Sequence, residues 1–385
     1  MVRASSFIAA LMLTVGTLAQ SWSPDTEVSL LTCTPGDELY SAYGHSAIRI
    51  HGDFGNKPLD LVYNYGTFEF NDGFIWRFTR GKLDYMLSRS QFPYFQQEYI
   101  FTNRGIREQV LDLDADELNA LFTFLEDNYL PENRYYRYDF FYDNCATRVR
   151  DALHATLGES LVWKEETAGT ITFRELIDGY QEPWPWTDFG IDIALGLPCD
   201  KVLEKGDDMF LPDYLFDQFS RATLDGEPLV KETRDLLLRE QYPSAKSLFT
   251  PTRTTWAMLA LFMLIALGFR KRSGLQLVID RFVLIFLGLA GCFLIFLWFF
   301  TDHQATASNF NLLWAMPAHL IAAFAMNRKW TAVYFKIYSF IGLLVILSWA
   351  FLPQDLHSAA LPLSILGTLV CAKRSIFRTL WGNRG

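Results

Sequence analysis

The chain lacks most of the motifs that identify an enzyme class directly. It has no internal repeat and no low-complexity tract. It also has no G-x-S-x-G elbow of a serine hydrolase and no glycine-rich loop of the kind that cradles a phosphate. His45, His51 and Cys145 lack the close spacing of zinc ligands, and a third ligand for a water-activating zinc is not evident. We therefore expect no metal and no other cofactor.

Positive charge is scarce in the first two thirds of the chain. Residues 1–250 hold 22 Lys and Arg against 40 Asp and Glu, a net formal charge of −18. Such an acidic segment is a poor partner for nucleic acid, and anionic lipid headgroups do not attract it broadly. Access to lipid would have to come from tethering helices. At about 230 residues after removal of a leader, the segment is long enough for one domain with a full core.

The first residues have the composition of a processing segment. Arg3 precedes an apolar stretch over 7–18, and small residues follow it. This pattern predicts a signal peptide over 1–19. The stretch is too short for a good membrane span. No cysteine lies at the expected cleavage point, so we do not expect a lipidated N-terminus. The mature chain is therefore expected to begin outside the cytoplasm.

Long apolar runs begin at about residue 254, and each is close to the roughly 20 residues that span a bilayer. Lys and Arg follow the first, third and fifth runs, whereas loops 301–309 and 353–358 have none. By the positive-inside rule this alternation places the C-terminus in the cytoplasm. We predict a five-helix transmembrane domain over 251–385 after an outward-facing domain over 20–250. The runs are 254–269, 282–300, 310–326, 332–352 and 357–372.

Residue patterns predict strands and helices in the outward-facing domain. EVSLLTC, HSAIRIHG and LDLVYNYGTFEF have strand character, and the last two are expected to pair. In HSAIRIHG, residues 45, 47 and 49 alternate with residues 46, 48 and 50. DADELNALFTFLEDNYL, CATRVRDALHATLG and PDYLFDQFSRATL have helical spacing, whereas WPWTDFGIDIALGLPCDK is expected to be irregular. The predicted fold class is α+β, followed by an all-α membrane domain.

Cysteine usage singles out one thiol. Cys292 and Cys371 fall in predicted spans, where we expect them to act as small apolar residues. In an oxidising compartment Cys33 and Cys199 could form a disulfide, although sequence alone does not determine the pairing. Cys145 would then be the odd thiol.

The neighbourhood of Cys145 favours reactivity. Asp143 and Asn144 are good cap residues for a helix that begins at or near Cys145. At such a helix start the dipole stabilises a thiolate, and free N–H groups can receive an oxyanion. His45, which opens a predicted strand, is the candidate base that takes the thiol proton. The plain alternative is that Cys145 is a small buried residue.

A third residue is expected to orient the imidazole of His45. Asn64, on the following strand, is the preferred candidate, and Asp60 is the weaker one. His51 is the rival base, although its position near a strand end predicts that it is solvated.

At this point the residues resemble known families. The His-before-Cys order and the DNC-type helix start resemble the circularly permuted papain-like enzymes, which include NlpC-related hydrolases and lecithin:retinol acyltransferase. More closely, LLTCTPGDELYSAYGHSAIRI, VYNYGTFEF, FIWRFTRGKLDY and YDNCATRVRDAL, followed by five spans, resemble the Lnb family of bacterial lipoprotein N-acyltransferases. The likeness covers most of the mature chain. It puts the motif Cys and His on Cys145 and His45, whereas Asn64 as third catalytic residue is our own assignment.

The resemblance implies a multi-pass protein of the bacterial inner (cytoplasmic) membrane, with its N-terminal domain in the periplasm. The acyl donor would be a membrane phospholipid and the acceptor a diacylated lipoprotein. Rival interpretations are a membrane-anchored cell-wall peptidase or amidase of the NlpC type, and a non-catalytic periplasmic sensor or scaffold. The predicted substrate-binding residues are Tyr43, Tyr142, Asn144, His303 and Asn311.

Two further polar groups have open interpretations. Asp302, His303, Asn309 and Asn311 cluster at the outward end of the third predicted span, where they would line a lipid-entry site or be ordinary interfacial residues. The basic residues of FIWRFTRGKLDY would contact a phosphate or form a solvated face.

Overall fold

A computed structural model describes residues 22–55, 57–69, 72–164, 169, 171–239, 248–269 and 271–381. The predicted signal peptide over 1–19 lies outside these residues. The N-terminal part is rich in β-sheet and the C-terminal part is helical, so the predicted α+β class is confirmed.

An antiparallel sheet of seven strands forms the centre of the N-terminal part. Its order is β10-β5-β1-β2-β3-β4-β6, and β7, β8 and β9 form a small second sheet. The predicted pairing of β2 with β3 is confirmed, with Ile48 opposite Tyr63. The strands are β1 (Glu27–Cys33), β2 (His45–Phe54), β3 (Lys57–Thr67), β4 (Asp84–Gln91), β5 (Ile106–Leu111), β6 (Tyr135–Arg137), β7 (Leu161–Val162), β8 (Thr223–Leu224), β9 (Glu227–Pro228) and β10 (Val230–Leu237).

Helices cover both faces of this sheet, as the alternation along β2 requires. Ile48 and Ile50 share a buried cluster with residues of α3 and α4, whereas Ala47 faces Phe92 and Phe95 of α2. His45, the first residue of β2, lies beside Cys145, the first residue of α4. The helices described in this part are α1 (Phe74–Thr79), α2 (Phe92–Phe101), α3 (Ala115–Tyr129), α4 (Cys145–Leu157), α5 (Phe173–Gln181), α6 (Pro185–Ala194) and α7 (Pro212–Arg221).

Cap residues determine where the helices begin. Asp114 accepts hydrogen bonds from the first-turn N–H groups of α3, and Asn144 does the same for α4. The predicted helix start at Cys145 is therefore confirmed. The prediction of irregular structure over WPWTDFGIDIALGLPCDK is wrong for its first half, which forms α6. Pro185 suits the first helical turn, and the carboxylate of Asp188 in that turn interacts favourably with the helix dipole.

The C-terminal part contains α8 (Pro251–Gly268), α9 (Ser273–Phe300), α10 (Ala318–Phe324), α11 (Lys329–Leu347) and α12 (Ala360–Trp381). Among the described residues, α8, α9 and α11 are long and apolar enough to cross a membrane. Five membrane spans remain a prediction.

The third predicted span, 310–326, is not one continuous helix, so this part of the prediction is wrong. It consists of a 3-10 turn over Phe310–Leu313, an irregular stretch with Trp314 and Ala315 fully buried, and the short α10. The segment runs against α9, where a Cβ at Gly291 would lie 1.8 Å from the carbonyl oxygen of Ala315. Protein covers this segment, which is the condition under which irregular backbone is tolerated inside a membrane.

Hydrogen bonds join α6 and the turn after it to loops of the helical part. The Asn309 amide Nδ2 donates to the Ile193 carbonyl at 2.7 Å, and the Gly196 N–H donates to the Ala305 carbonyl at 2.8 Å. A Cβ at Gly196 would lie 1.9 Å from the carbonyl oxygen of Ala307, so the two backbones are in direct contact. These contacts hold the sheet domain at one end of the membrane helices.

Candidate active site

Cys145 and His45 meet where α4 begins beside the first residue of β2. The imidazole of His45 hydrogen-bonds the Cys145 thiol, and its Nε2 lies 2.5 Å from Oδ1 of Asn64. Because Nε2 faces Asn64, Nδ1 is the ring nitrogen left for the thiol. The structure thus brings together the three residues predicted to form the catalytic group, in the order thiol, imidazole, amide.

A break in the β3–β4 ladder places Asn64. The register shifts between Asn64 and Thr67, and Gly66 within the shift has φ +86°, which only glycine adopts without strain. A Cβ at Gly66 would lie 3.4 Å from Cβ of Cys145 and 3.9 Å from Cε1 of His45. The irregularity therefore aims the amide at His45 and leaves space beside the thiol.

Charge favours an ionised thiol in this pair. Burial by itself would raise the pKa of Cys145, but the charge and hydrogen bond of His45, together with N–H groups of Ser46 and Ala146 that point at the sulfur, lower it overall. Burial would likewise lower the pKa of His45, but the Cys145 charge and the bonds to Cys145 and Asn64 raise it overall. Both shifts act in the direction of a thiolate beside an imidazolium.

Asn144 caps the helix that begins at Cys145. Its Oδ1 accepts hydrogen bonds from the N–H groups of Ala146 and Thr147, and its Nδ2 donates to the carbonyls of Phe140 and Phe210 at 2.8 Å each. Only 3% of the residue is exposed. Every polar atom of the side chain is already used in these hydrogen bonds, so Asn144 acts as a buried helix cap, and a contact of Asn144 with substrate remains a prediction.

The two predicted tyrosines lie in different surroundings. The Tyr43 hydroxyl accepts a hydrogen bond of 2.5 Å from Gln181, and its ring packs 4.7 Å from that of Phe140. Tyr142 is 50% exposed, with its ring against Phe173. Tyr43 is thus held inside a packed aromatic cluster, whereas Tyr142 is open to solvent.

His303 and Asn311 join the two parts of the protein. The His303 ring Nε2 lies 3.2 Å from the carbonyl oxygen of Phe78 at the end of α1. Asn311 is 1% exposed, donates to the carbonyls of Asp192 and Ile193, and accepts from the Trp314 indole N–H at 2.8 Å. The contacts of both residues are explained by domain docking, so the expected lipid-entry site does not follow from them.

The rival assignments near His45 have other partners. Asp60 forms an ion pair of 2.7 Å with Arg49, and His51 is exposed further along β2. Neither residue makes a contact with His45 among the described contacts.

The disulfide that Cys33 and Cys199 could have formed is not present, since both residues are free cysteines. Cys33 lies in the cluster between β1 and α2, and Cys199 lies in a separate cluster with Phe173. Burial raises the pKa of each thiol to about 12, which leaves both unreactive. Of the three cysteines in the sheet domain, Cys145 alone has a lowered pKa.

Sequence reasoning missed a second group of titratable side chains. Ligand atoms of Asp188, Asp192 and His357 lie within 4.8 Å of one another and line a cavity of about 470 Å³ between α6 and the helical part. Asp192 is already paired with Arg174 at 2.6 Å. Burial, and then the charges of Asp192 and Asp188, raise the pKa of Asp178 beside them to about 7. These groups have the chemistry to hold a cation, but they are not part of the thiol site.

Comparison with known protein families gives two matches, both to the same family. Residues 18–179 match the family description Lnb N-terminal periplasmic domain, and residues 243–379 match Lnb transmembrane domain. Searches of curated proteins and of solved structures found no match. The fold and these matches define a bacterial membrane protein with a periplasmic N-terminal domain. The chain belongs to the Lnb family, which modifies lipoproteins, and this membership suggests an enzyme.

Proposed function

We propose that the protein is a thiol-dependent lipoprotein N-acyltransferase of the bacterial inner membrane. It moves an acyl chain from a membrane phospholipid, through a thioester on Cys145, to the α-amine of a diacylglyceryl-cysteine lipoprotein. The observation that carries this proposal is the Cys145–His45–Asn64 arrangement in the periplasmic domain of an Lnb family member. The cysteine helix packed on an antiparallel sheet also supports a permuted papain-like domain.

In the first half-reaction the Cys145 thiolate attacks an ester carbonyl carbon of the phospholipid. A C–S bond forms, and the negative charge of the tetrahedral intermediate lies near the N-terminus of α4, whose dipole stabilises it. The ester C–O bond then breaks, and the imidazolium of His45 protonates the leaving alkoxide. The products are a lysophospholipid and an acyl thioester on Cys145.

In the second half-reaction the neutral α-amine of the lipoprotein attacks the thioester carbonyl. A C–N bond forms, the C–S bond breaks, and His45 takes the proton that the amine loses. The thiolate and imidazolium are regenerated, so no water or other reactant is consumed. Asn64 accepts a hydrogen bond from His45 throughout and keeps the ring oriented.

The membrane helices give this chemistry its location. Both substrates are anchored in the bilayer, and the sheet domain is docked on the ends of the helices by hydrogen bonds. Holding the thiol near the headgroups replaces a search in three dimensions by one in the membrane plane.

The test is the mass of the N-terminal lipopeptide of a reporter lipoprotein. It is made in cells that depend on the wild-type chain, on Cys145→Ser, or on the control Cys292→Ser, which changes an exposed cysteine of α9. Loss of one acyl group with Cys145→Ser alone is the expected result. An unchanged mass, with the variant well expressed, would overturn the proposal. Altered cell-wall fragments in that case would support the peptidase instead.

A further inference from the structure

A short helix of the periplasmic domain exposes large apolar side chains. In α1, Ile75 is 78% exposed, Trp76 59% and Phe78 49%, and no residue of the helix is buried. Three adjacent apolar side chains in water are unusual for a soluble domain and mark a surface that contacts something else. We call these three residues the α1 face.

The α1 face continues the lipid-facing surface of α9. The Trp76 ring lies 6.4 Å from the ring of Phe296, which stacks on Phe300. Phe299 and Phe300, at the same end of α9, are 62% and 60% exposed. Because α9 is long and apolar enough to cross a membrane, exposed phenylalanines at its end would face lipid near the bilayer surface. The α1 face adjoins this end of α9 and would then lie at the level of the periplasmic leaflet.

Contacts hold α1 in this position. The Asp302 N–H donates to the Arg80 carbonyl at 2.9 Å, and Arg80 Nε donates to the Phe300 carbonyl at 3.4 Å. His303 approaches the Phe78 carbonyl, and Gly81, with φ +65°, lies against the backbone of His303. The helix is thus fixed to the end of α9, so its exposed apolar side chains are held in a defined position.

A row of aromatic rings runs from α1 toward the thiol. Phe78 stacks on Phe74 at 5.9 Å, and Phe74 stacks on Phe68 at 5.4 Å. Phe68 and Phe74 pack against the buried cluster that contains Cys145, and Gly66 approaches the same residue, since its Cβ would lie 3.4 Å from Cβ of Cys145. Apolar rings therefore connect the surface at the bilayer with the space beside Cys145.

We propose that the α1 face inserts into the periplasmic leaflet and admits the donor phospholipid, whose acyl chain reaches Cys145 along Phe78, Phe74 and Phe68. Tryptophan with a neighbouring arginine is typical of the membrane interface, and the Arg80 guanidinium lies 5.7 Å from the Trp76 ring. The insertion stands on the structure alone, whereas the identity of the lipid as acyl donor rests on the proposed function.

The insertion is tested by photo-crosslinking of the full chain in phospholipid nanodiscs. p-Benzoylphenylalanine replaces Trp76 or, as control, Phe101, which is 90% exposed on α2. We expect a phospholipid adduct by mass spectrometry at position 76 and none at position 101. This readout does not depend on catalysis. Absence of the adduct at 76, or equal adducts at both positions, would overturn the insertion.

Donor entry is tested by the rate of acylation of Cys145. Ile75→Glu and Trp76→Glu are compared with Phe101→Glu, using either long-chain phospholipid in nanodiscs or water-soluble p-nitrophenyl butyrate. With phospholipid, the acylation rate of the α1 variants should fall by at least about 10-fold, because a charge buried in the bilayer blocks insertion. With the soluble ester they should keep the wild-type rate, because the thiol is intact. Equal losses with both donors, or no loss with phospholipid, would refute entry at α1. A wild-type chain that phospholipid does not acylate would refute the acyltransferase proposal and donor entry with it, while the crosslink would still decide the insertion.

Discussion

Removal of the Asn64 amide tests how His45 is held. In Asn64→Ala the Nε2–H of His45 loses its acceptor at 2.5 Å in a half-buried site. A hydrogen bond to a charged group contributes about 1.5–3 kcal/mol. Each 1.36 kcal/mol is tenfold in rate, so the acylation rate should fall by about 10- to 100-fold.

The pH dependence separates this role from a general loss of structure. The bond to Asn64 helps to raise the pKa of His45, and the charged His45 lowers the pKa of Cys145. Without the amide the pKa of His45 falls, less imidazolium is present, and the pKa of Cys145 rises. The rate of Cys145 alkylation by iodoacetamide should therefore shift to higher pH. Asn64→Asp, which keeps an acceptor, should recover most of the rate.

The matched control is Asn128→Ala on α3, whose amide donates to the Phe124 carbonyl at 2.9 Å. It should leave both the rate and the pH profile unchanged. If folded Asn64→Ala protein has the wild-type acylation rate and the wild-type alkylation profile, Asn64 does not position His45 and the reasoning is refuted.

Three further substitutions or measurements test other parts of the structure. Alkylation of the unreduced, denatured chain should label both Cys33 and Cys199, and a peptide mass showing them linked would contradict their separation into two clusters. Asp280→Ala should lower the free energy of unfolding by about 3–5 kcal/mol, and with it the melting temperature in detergent, because Asp280 is fully buried and pairs with Lys373 and Arg374. Asp302→Ala, which changes an exposed residue, should have little effect on the melting temperature. Equal shifts of the melting temperature in both variants would argue against a buried ion pair. Gly196→Ala should loosen the docking of the sheet domain and increase protease cleavage at the junction, since its Cβ would lie 1.9 Å from the Ala307 carbonyl oxygen. Gly190→Ala is the control, because a Cβ at Gly190 meets open space. Equal protease sensitivity of the two variants would contradict this docking.

Local patterns predicted much of the fold. The alternation of residues predicted β1, β2 and β3, and the residues before Cys145 predicted the start of α4. These features depend on neighbours within a few positions, so a single sequence carries them. The same holds for the apolar character of α8, α9 and α11, which length and composition decide.

Such local patterns do not predict contacts between segments that are distant in sequence. The broken third span depends on the close approach of Gly291 to Ala315, and the roles of Asn144 and Asn311 depend on carbonyls that the fold brings to them. The position of Asn64 on the strand after His45 predicts it as the orienting residue, but the direction of its amide toward His45 depends on the register shift around Gly66.

The sequence by itself determined the class of the protein: an acidic sheet domain with one distinctive thiol, joined to apolar helices. Only the tertiary structure decided that Cys33 and Cys199 stay apart, that the polar residues at 302–311 dock the domains, and that the α1 face lies beside α9. The physical reason is that residue type and spacing encode local conformation and burial, whereas partners far apart in sequence are selected by the packing of the whole chain.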